Sequence, residues 1–169
     1  MIYEPQEDSY MLEEQVKKLV KNVKVLDMGT GSGIQARAAL ENNCEVLAID
    51  INQEAVDYVK KKGIRVIKSD LFSNVEGKFD VIIFNPPYLP EEELEDEESK
   101  LCTTGGKKGS EIVERFLKEV KHYLNENGFI LVVVSSLTGK DLFEGFKFEV
   151  LSEKSFFFEK LYAYRLFVE

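Results

Sequence analysis

The chain is poor in the residues that build metal centres and covalent scaffolds, with one histidine and two cysteines in 169 residues. Cys44 and Cys102 stand far apart, with no CxxC and no Cys/His cluster. Neither a zinc site nor a disulfide framework is expected, and no metal is assigned. His122 has no acid or serine placed to complete a triad, so it reads as a helical surface residue. Long apolar runs are also missing. The longest, Phe129 to Val134, is far too short to cross a bilayer. No basic segment followed by an apolar one opens the sequence, so the expectation is a cytoplasmic protein with reduced thiols and no membrane partner. Basic residues number 22 against 31 acids, a net charge of −9. That balance argues against a broad phosphate-binding surface, so nucleic acid is not a favoured partner. Lys60-Lys61-Lys62 reads as a solvated helix end, where cations suit the helix dipole, and Lys107-Lys108 is shorter still. Seven of the eight positions from Glu91 to Glu98 are acidic, the pattern of a solvated loop.

What is present is an alternation of apolar and helix-like segments over a length suited to one domain, 1–169. That is the pattern of an α/β protein with a largely parallel sheet. A first helix is expected from Gln6 to Lys21, with Pro5 at its entry, making 1–21 an N-terminal helical segment. Strands are expected at Lys24–Met28, Glu45–Ile51, Arg65–Ser69, Phe79–Phe84 and Phe129–Ser135. The intervening helices are placed at Ile34–Glu41, Gln53–Lys62 and Glu111–Leu124. Arg65–Ser69 should lie at a sheet edge, and Phe129–Ser135, apolar on both faces, at its centre. Thr138–Phe143 reads as a short helix. Phe148–Ser155 and Lys160–Val168 leave no room for a crossover between them, so they should pair as an antiparallel hairpin.

Chemistry concentrates where strands end. Asp27-Met28-Gly29-Thr30-Gly31-Ser32-Gly33 sits at the first strand-to-helix turn, where glycines allow positive φ and close backbone approach to a ligand. The G-x-G-x-G spacing departs from the G-x-G-x-x-G dinucleotide fingerprint. Asp27 suits a cationic ammonium better than a phosphate, which fits the methionine end of S-adenosylmethionine. Asp50, with Ile51 beside it, ends the second strand about twenty residues on, where an acid takes ribose hydroxyls or caps the next helix. Taken alone, Asp50 fits NAD as well as S-adenosylmethionine. Asp70 and Leu71 end the third strand and are placed to meet an adenine, by the exocyclic amine and the ring face respectively. Asp70 taken singly also reads as a plain loop residue.

Asn85-Pro86-Pro87-Tyr88 follows the apolar run Val81–Phe84 and resembles the Asn-Pro-Pro-Tyr box of amino-group methyltransferases. An amide or ring amino nitrogen is a poor nucleophile because its lone pair is delocalised. The Asn85 side-chain oxygen and the Pro86 carbonyl would accept its two hydrogens, and Tyr88 would stack on the flat group. Consecutive prolines hold these acceptors extended in advance. The order of glycine turn, Asp50, Ser69-Asp70-Leu71-Phe72 and Phe84–Tyr88 is similar to the HemK/PrmC family, the glutamine methyltransferases of translation release factors. Tyr3-Glu4-Pro5-Gln6-Glu7-Asp8-Ser9-Tyr10 and Gly105-Gly106-Lys107-Lys108-Gly109-Ser110-Glu111 resemble motifs of its short archaeal and eukaryotic branch. The acidic loop after Tyr88 departs from the family pattern.

The resemblance implies a class I, Rossmann-like methyltransferase fold. Its sheet would have seven strands, mostly parallel, with an antiparallel C-terminal hairpin and helices on both faces. It implies methyl transfer from S-adenosylmethionine to the glutamine amide of a release factor's Gly-Gly-Gln loop. Gly29, Thr30, Gly31, Ser32, Gly33, Asp50 and Ile51 would bind cofactor, and Asn85, Pro86, Pro87 and Tyr88 would orient the glutamine. Asp8 and Ser9 would either lie near the methionine end of the cofactor or cap the first helix. A small zinc-binding activator protein on the sheet edge is a further implied partner. The competing reading is methylation of an exocyclic amine, such as adenine N6, on RNA or DNA, since the same box serves planar bases. A non-catalytic binding module would keep the fold without cofactor affinity, and a nicotinamide oxidoreductase is disfavoured by the glycine spacing.

Overall fold

The computed structural model describes residues 1–87, 110–138 and 142–169. Tyr88, the acidic stretch 91–98, Cys102 and the Gly105–Gly109 segment lie outside the described residues. In chain order the elements are α1 (Glu7–Leu19), β1 (Lys24–Met28), α2 (Ile34–Glu41), β2 (Glu45–Asp50), α3 (Gln53–Lys61), β3 (Val66–Lys68), β4 (Phe79–Phe84), α4 (Glu111–Glu119), a 3₁₀ turn (Val120–Tyr123), β5 (Leu124–Ser135), β6 (Phe146–Ser155) and β7 (Lys160–Val168). The strands form one seven-stranded sheet in the order β3-β2-β1-β4-β5-β7-β6. The first five in that order pair in parallel, while β7 runs antiparallel to both β5 and β6. β3 is an edge strand, and the C-terminal hairpin closes the opposite side, as the sequence implies.

Side chains alternate across a pleated strand, and here the alternation splits the core in two. Leu26, Ile82, Ile130 and Val132 pack on one face with Val113 and Phe116 of α4. Val25, Val81, Ile83, Leu131 and Val133 pack on the other with Leu12, Val16, Ala36, Ala39 and Val59 from α1, α2 and α3. Helices therefore cover both faces. Among the described residues, no helix is long and apolar enough to cross a membrane.

β1, α2, β4 and β7 match their expected bounds. The helix expected to reach Leu124 stops at Glu119, and β5 starts five residues before Phe129. Asn127-Gly128 reads as a turn in sequence, but here it sits inside a strand. Asn127 takes a left-handed φ of 66, and pairing jumps from Phe79↔Leu124 to Val81↔Phe129. A side chain at Gly128 would place Cβ 2.8 Å from the Asp80 carbonyl, so the irregularity needs glycine. The expected helix at Thr138–Phe143 falls partly outside the described residues, and Leu142 and Phe143 belong to a turn.

Candidate active site

Because β1 to β4 run parallel, their carboxyl ends share one edge of the sheet, where open α/β sheets bind ligands. A cleft of about 410 Å³ opens there, within the usual range for small-molecule sites. The glycine turn, Asp50, Asp70 and Asn85 all line it. The register of β1 on β4 pairs Met28 with Phe84, so Gly29 and Asn85 leave adjacent strands side by side.

The glycine-turn side is built from internal hydrogen bonds. Asp27 is only 1% exposed, and its Oδ2 accepts from Thr30 Oγ1 at 2.7 Å and from the Ala36 backbone N–H at 3.1 Å. Burial pushes its carboxyl up to about 7, against the lowering effect of those two donors. At Asp50, Oδ2 accepts from the Gly31 N–H and Oδ1 from the Asn52 N–H, each at 2.9 Å. Burial raises its pKa as well. The helix-cap reading of Asp50 is filled by another residue: Asn52 caps α3, its side chain accepting from the Glu54 N–H. Gly31 and Gly33 have φ of 55 and 86, a left-handed turn that a side chain would strain. A Cβ on Gly33 would also meet Val59 at 3.3 Å. Thr30, Ser32 and the half-exposed Ile51 line the same cleft.

The loop after β3 is tied by Ser69, whose hydroxyl donates to the Leu71 carbonyl at 2.7 Å and accepts from the Asn74 N–H at 3.0 Å. Leu71 is held at a φ of 49, uncommon for a branched aliphatic residue and a frequent mark of ligand sites. The Asp70 carboxylate takes both hydrogen bonds from Arg115 Nη2, at 3.2 and 3.1 Å. Any adenine contact by Asp70 is therefore shared with an exposed ion pair.

Asn85 differs from these groups. Its Nδ2 donates to Asp8 Oδ2 at 3.3 Å, while its Oδ1 is buried without a hydrogen-bond partner among the described residues. Buried polar atoms are nearly always paired, and an exception marks a place for a ligand. Asp8 in turn accepts from the Tyr3 hydroxyl at 2.9 Å and from the Ser9 N–H at 2.8 Å. Ser9 Oγ accepts from the Gln6 N–H at 3.2 Å, so it caps α1 as well as lining the cleft. Pro86 and Pro87 also line it.

Several lining residues were not singled out from sequence. Gln35 donates from Nε2 to the Ser9 carbonyl at 2.9 Å and leaves a buried Oε1 unpartnered among the described residues. Arg115 stands one turn into α4. Its signal is faint: the helix that follows the loop after β4 has to start at this edge. Tyr3 belongs to the N-terminal motif but carried no assigned role, and Glu159 arrives from the distant hairpin with no local signal. His122 is exposed and does not line the cleft. Among the described residues no cluster of three or more His, Cys, Asp or Glu is placed to hold a metal.

The arrangement suits a ligand with a cationic amino-acid portion beside Asp27, vicinal hydroxyls beside Asp50 and a flat ring near Ile51 and Leu71. Beside it, Asn85 offers an acceptor to a planar N–H. Comparison with known proteins gives the family. The family model "methyltransferase small domain" matches residues 6–147. A candidate protein N5-glutamine methyltransferase of Methanocaldococcus jannaschii is 41% identical over 177 residues, covering 95% of this chain and 88% of that protein. A release factor glutamine methyltransferase of Streptococcus pneumoniae is 32% identical over 146 residues, or 78% of this chain; the chain spans only 52% of that longer protein. In three dimensions, a structure of the E. cuniculi Mtq2–Trm112 complex, described as responsible for methylating the eRF1 termination factor, superposes with a TM-score of 0.81. It covers 99% of both chains at 24% identity, a likeness of fold.

Proposed function

The chain belongs to the methyltransferase small domain family, and from that premise we propose that it methylates the side-chain amide of glutamine in the Gly-Gly-Gln loop of a translation release factor. The reading is carried by one observation: the buried, unpartnered Oδ1 of Asn85, a residue that lines the cleft beside the glycine turn. Residues 1–169 then act as one methyltransferase domain, in the cytoplasm where release factors work.

When bound, S-adenosylmethionine supplies a methyl group on a positively charged sulfur. Its amino-acid end would lie against Asp27 and Gly29 to Gly33, with Asp8 and Ser9 nearby. Asp50 would take the ribose hydroxyls, and Ile51, Asp70 and Leu71 the adenine. Asn85 Oδ1 and the Pro86 carbonyl accept the two N–H bonds of the target amide, drawing electron density toward nitrogen and fixing its plane. Tyr88, outside the described residues, is the proposed stacking platform. Asp8 determines which end of the Asn85 amide faces the substrate. By accepting from Nδ2, it leaves Oδ1 forward; the flipped amide would present a donor to a donor. Tyr3 holds Asp8 in that position through its hydroxyl. No general base is required, because the methylated amide nitrogen, while still protonated, is strongly acidic.

The β3 edge offers unpaired backbone groups beside the half-buried Val66 and Ile67. A small activator protein would add there as a further strand, and its zinc-binding character follows from the resemblance.

Labelled methyl donor offered with release factor and total RNA together tests the acceptor. Label is expected on the protein, at the glutamine amide. Label on RNA that nuclease removes, with none on the protein, would transfer the assignment to a nucleobase amine.

A further inference from the structure

The turn between β6 and β7 carries two exposed aromatic residues at its tip. Ser155 pairs with Lys160, and the Phe156 N–H donates to the Glu159 carbonyl at 2.7 Å, leaving Phe157 and Phe158 as the two central residues. The ladder ends at Ser155 and Lys160, so the loop has four residues, and such loops are usually built around a type I turn that needs no positive φ. Here both positions are phenylalanine, and neither has a positive φ. Phe157 is 92% exposed and Phe158 82% exposed. The two rings pack only edge to face on one another, with centroids 4.5 Å apart. Phe156 and Leu137 are also exposed, at 40% and 47%. Core packing does not account for these residues, and exposed apolar patches mark interaction sites.

The position of the tip identifies what covers it. Ser135 at the end of β5 pairs with Leu161, so the tip projects from the carboxyl edge of the sheet, the edge that holds the cleft. The next residue, Glu159, lines that cleft and is fastened to Ser135 Oγ. Ser136 and Lys160 exchange two further hydrogen bonds, at 2.8 and 3.0 Å. A rigidly seated apolar knob thus stands at the rim of the cleft, one residue from its wall. A partner that inserts a side chain there must pass over it. The chain's net charge of −9 disfavours anionic membranes and nucleic acid as partners and favours a protein of neutral or basic surface.

We propose that Phe157 and Phe158 are an apolar anchor for the protein substrate, gripping its folded surface beside the loop whose glutamine enters the cleft. This rests on the glutamine-methyltransferase reading. The anchor supplies binding shared by ground and transition states, so its loss raises KM and leaves kcat in place. Only a folded substrate reaches both anchor and cleft; a short peptide reaches the cleft alone.

The test compares wild type with the double variant Phe157→Ser/Phe158→Ser on two acceptors, full-length release factor and a short peptide spanning its glutamine loop. Cofactor affinity and thermal midpoint are measured alongside. The expected result is a KM for the release factor raised at least tenfold, with kcat, peptide methylation, cofactor affinity and midpoint unchanged. An unaltered KM for the release factor would overturn the anchor, as would equal losses on both acceptors. A wild-type dimer that becomes monomeric in the variant, with KM unchanged, would assign the knob to a second copy of the chain. If wild type, supplied with the activator protein, methylates neither acceptor, the glutamine reading fails and the anchor falls with it.

Discussion

Asp27 and Asp50 each hold two hydrogen-bond donors from the protein, so the donor side of the cleft is internally matched before any ligand arrives. Across the β1–β4 pairing, Asn85 is matched at its nitrogen and left open at its oxygen. The first arrangement is a mould: backbone and carboxylates fix one another's positions, and a ligand adds contacts to groups already in place. The second is a single unmet acceptor, directed by Asp8 and completed only by an N–H that enters the cleft. On the proposed reading, binding and chemistry fall to adjacent strand ends and should be separable by mutation.

The largest effect that would break or sharpen this division is expected at the open acceptor. Asn85→Ala should lower kcat by about 10²–10³-fold, the usual cost of removing one preorganised group at a reacting centre. Cofactor affinity by calorimetry should stay within about threefold. An equal collapse of cofactor binding would show that Asn85 belongs to the mould. Asp50→Asn should do the reverse. It turns an amide N–H toward the Gly31 or Asn52 N–H and removes a charged acceptor, weakening cofactor binding about 10–100-fold, with smaller change in kcat at saturation. Asp8→Ala tests the link between the two sides. Freed from Asp8, the Asn85 amide samples both orientations, and kcat should fall about tenfold. Asp8→Asn, which can present an acceptor or a donor, should give partial recovery, and a variant as active as wild type would dismiss the positioning role.

The last expected effect is a pH dependence, and it leaves the protein intact. The Asp27 carboxyl titrates near 7 in the folded protein because burial disfavours its charge. Between the ordinary carboxylate value and 7, the folded state therefore holds a proton that the unfolded state has released. Stability contributed by this group falls as pH rises through that window and is level above it. A ligand ammonium favours the ionised form, so cofactor binding should expel a proton below pH 7. Affinity should then rise by up to tenfold per pH unit from about 5 to 7 and flatten beyond. Asp27→Asn should remove that slope, and a flat wild-type profile would show that the carboxyl serves only the turn.

The order of strands and helices was legible because apolar runs, glycine turns and crossover lengths constrain an α/β chain tightly. The positions of the glycines, Asp50 and Asn85 at the cleft were legible for a related reason: they lie at or just past the ends of strands that are themselves readable. Ser69, given no role in sequence, ties the loop that holds Leu71. What stayed hidden were contacts made at long sequence separation. The Tyr3–Asp8–Asn85 chain joins residues 77 positions apart, and Arg115 reaches back to Asp70 across 45. The Asn127-Gly128 irregularity was hidden for the opposite reason, because its local signal is a turn and the neighbouring strand overrides it. Periodicity gives no account of the exposed phenylalanines, which satisfy no fold requirement at all.

β5 has a consequence for how the molecule comes apart. Ile130, Val132 and Val134 belong to one core, and Leu131 and Val133 to the other, so the two cores share a wall one strand thick. Neither can open while that wall stands. The backbone amides of Ile130–Val134 should exchange with solvent only through global unfolding, whereas those of the exposed edge strand β6 should exchange through local opening. The cofactor mould and the open acceptor are different chemically, but they melt as one cooperative unit.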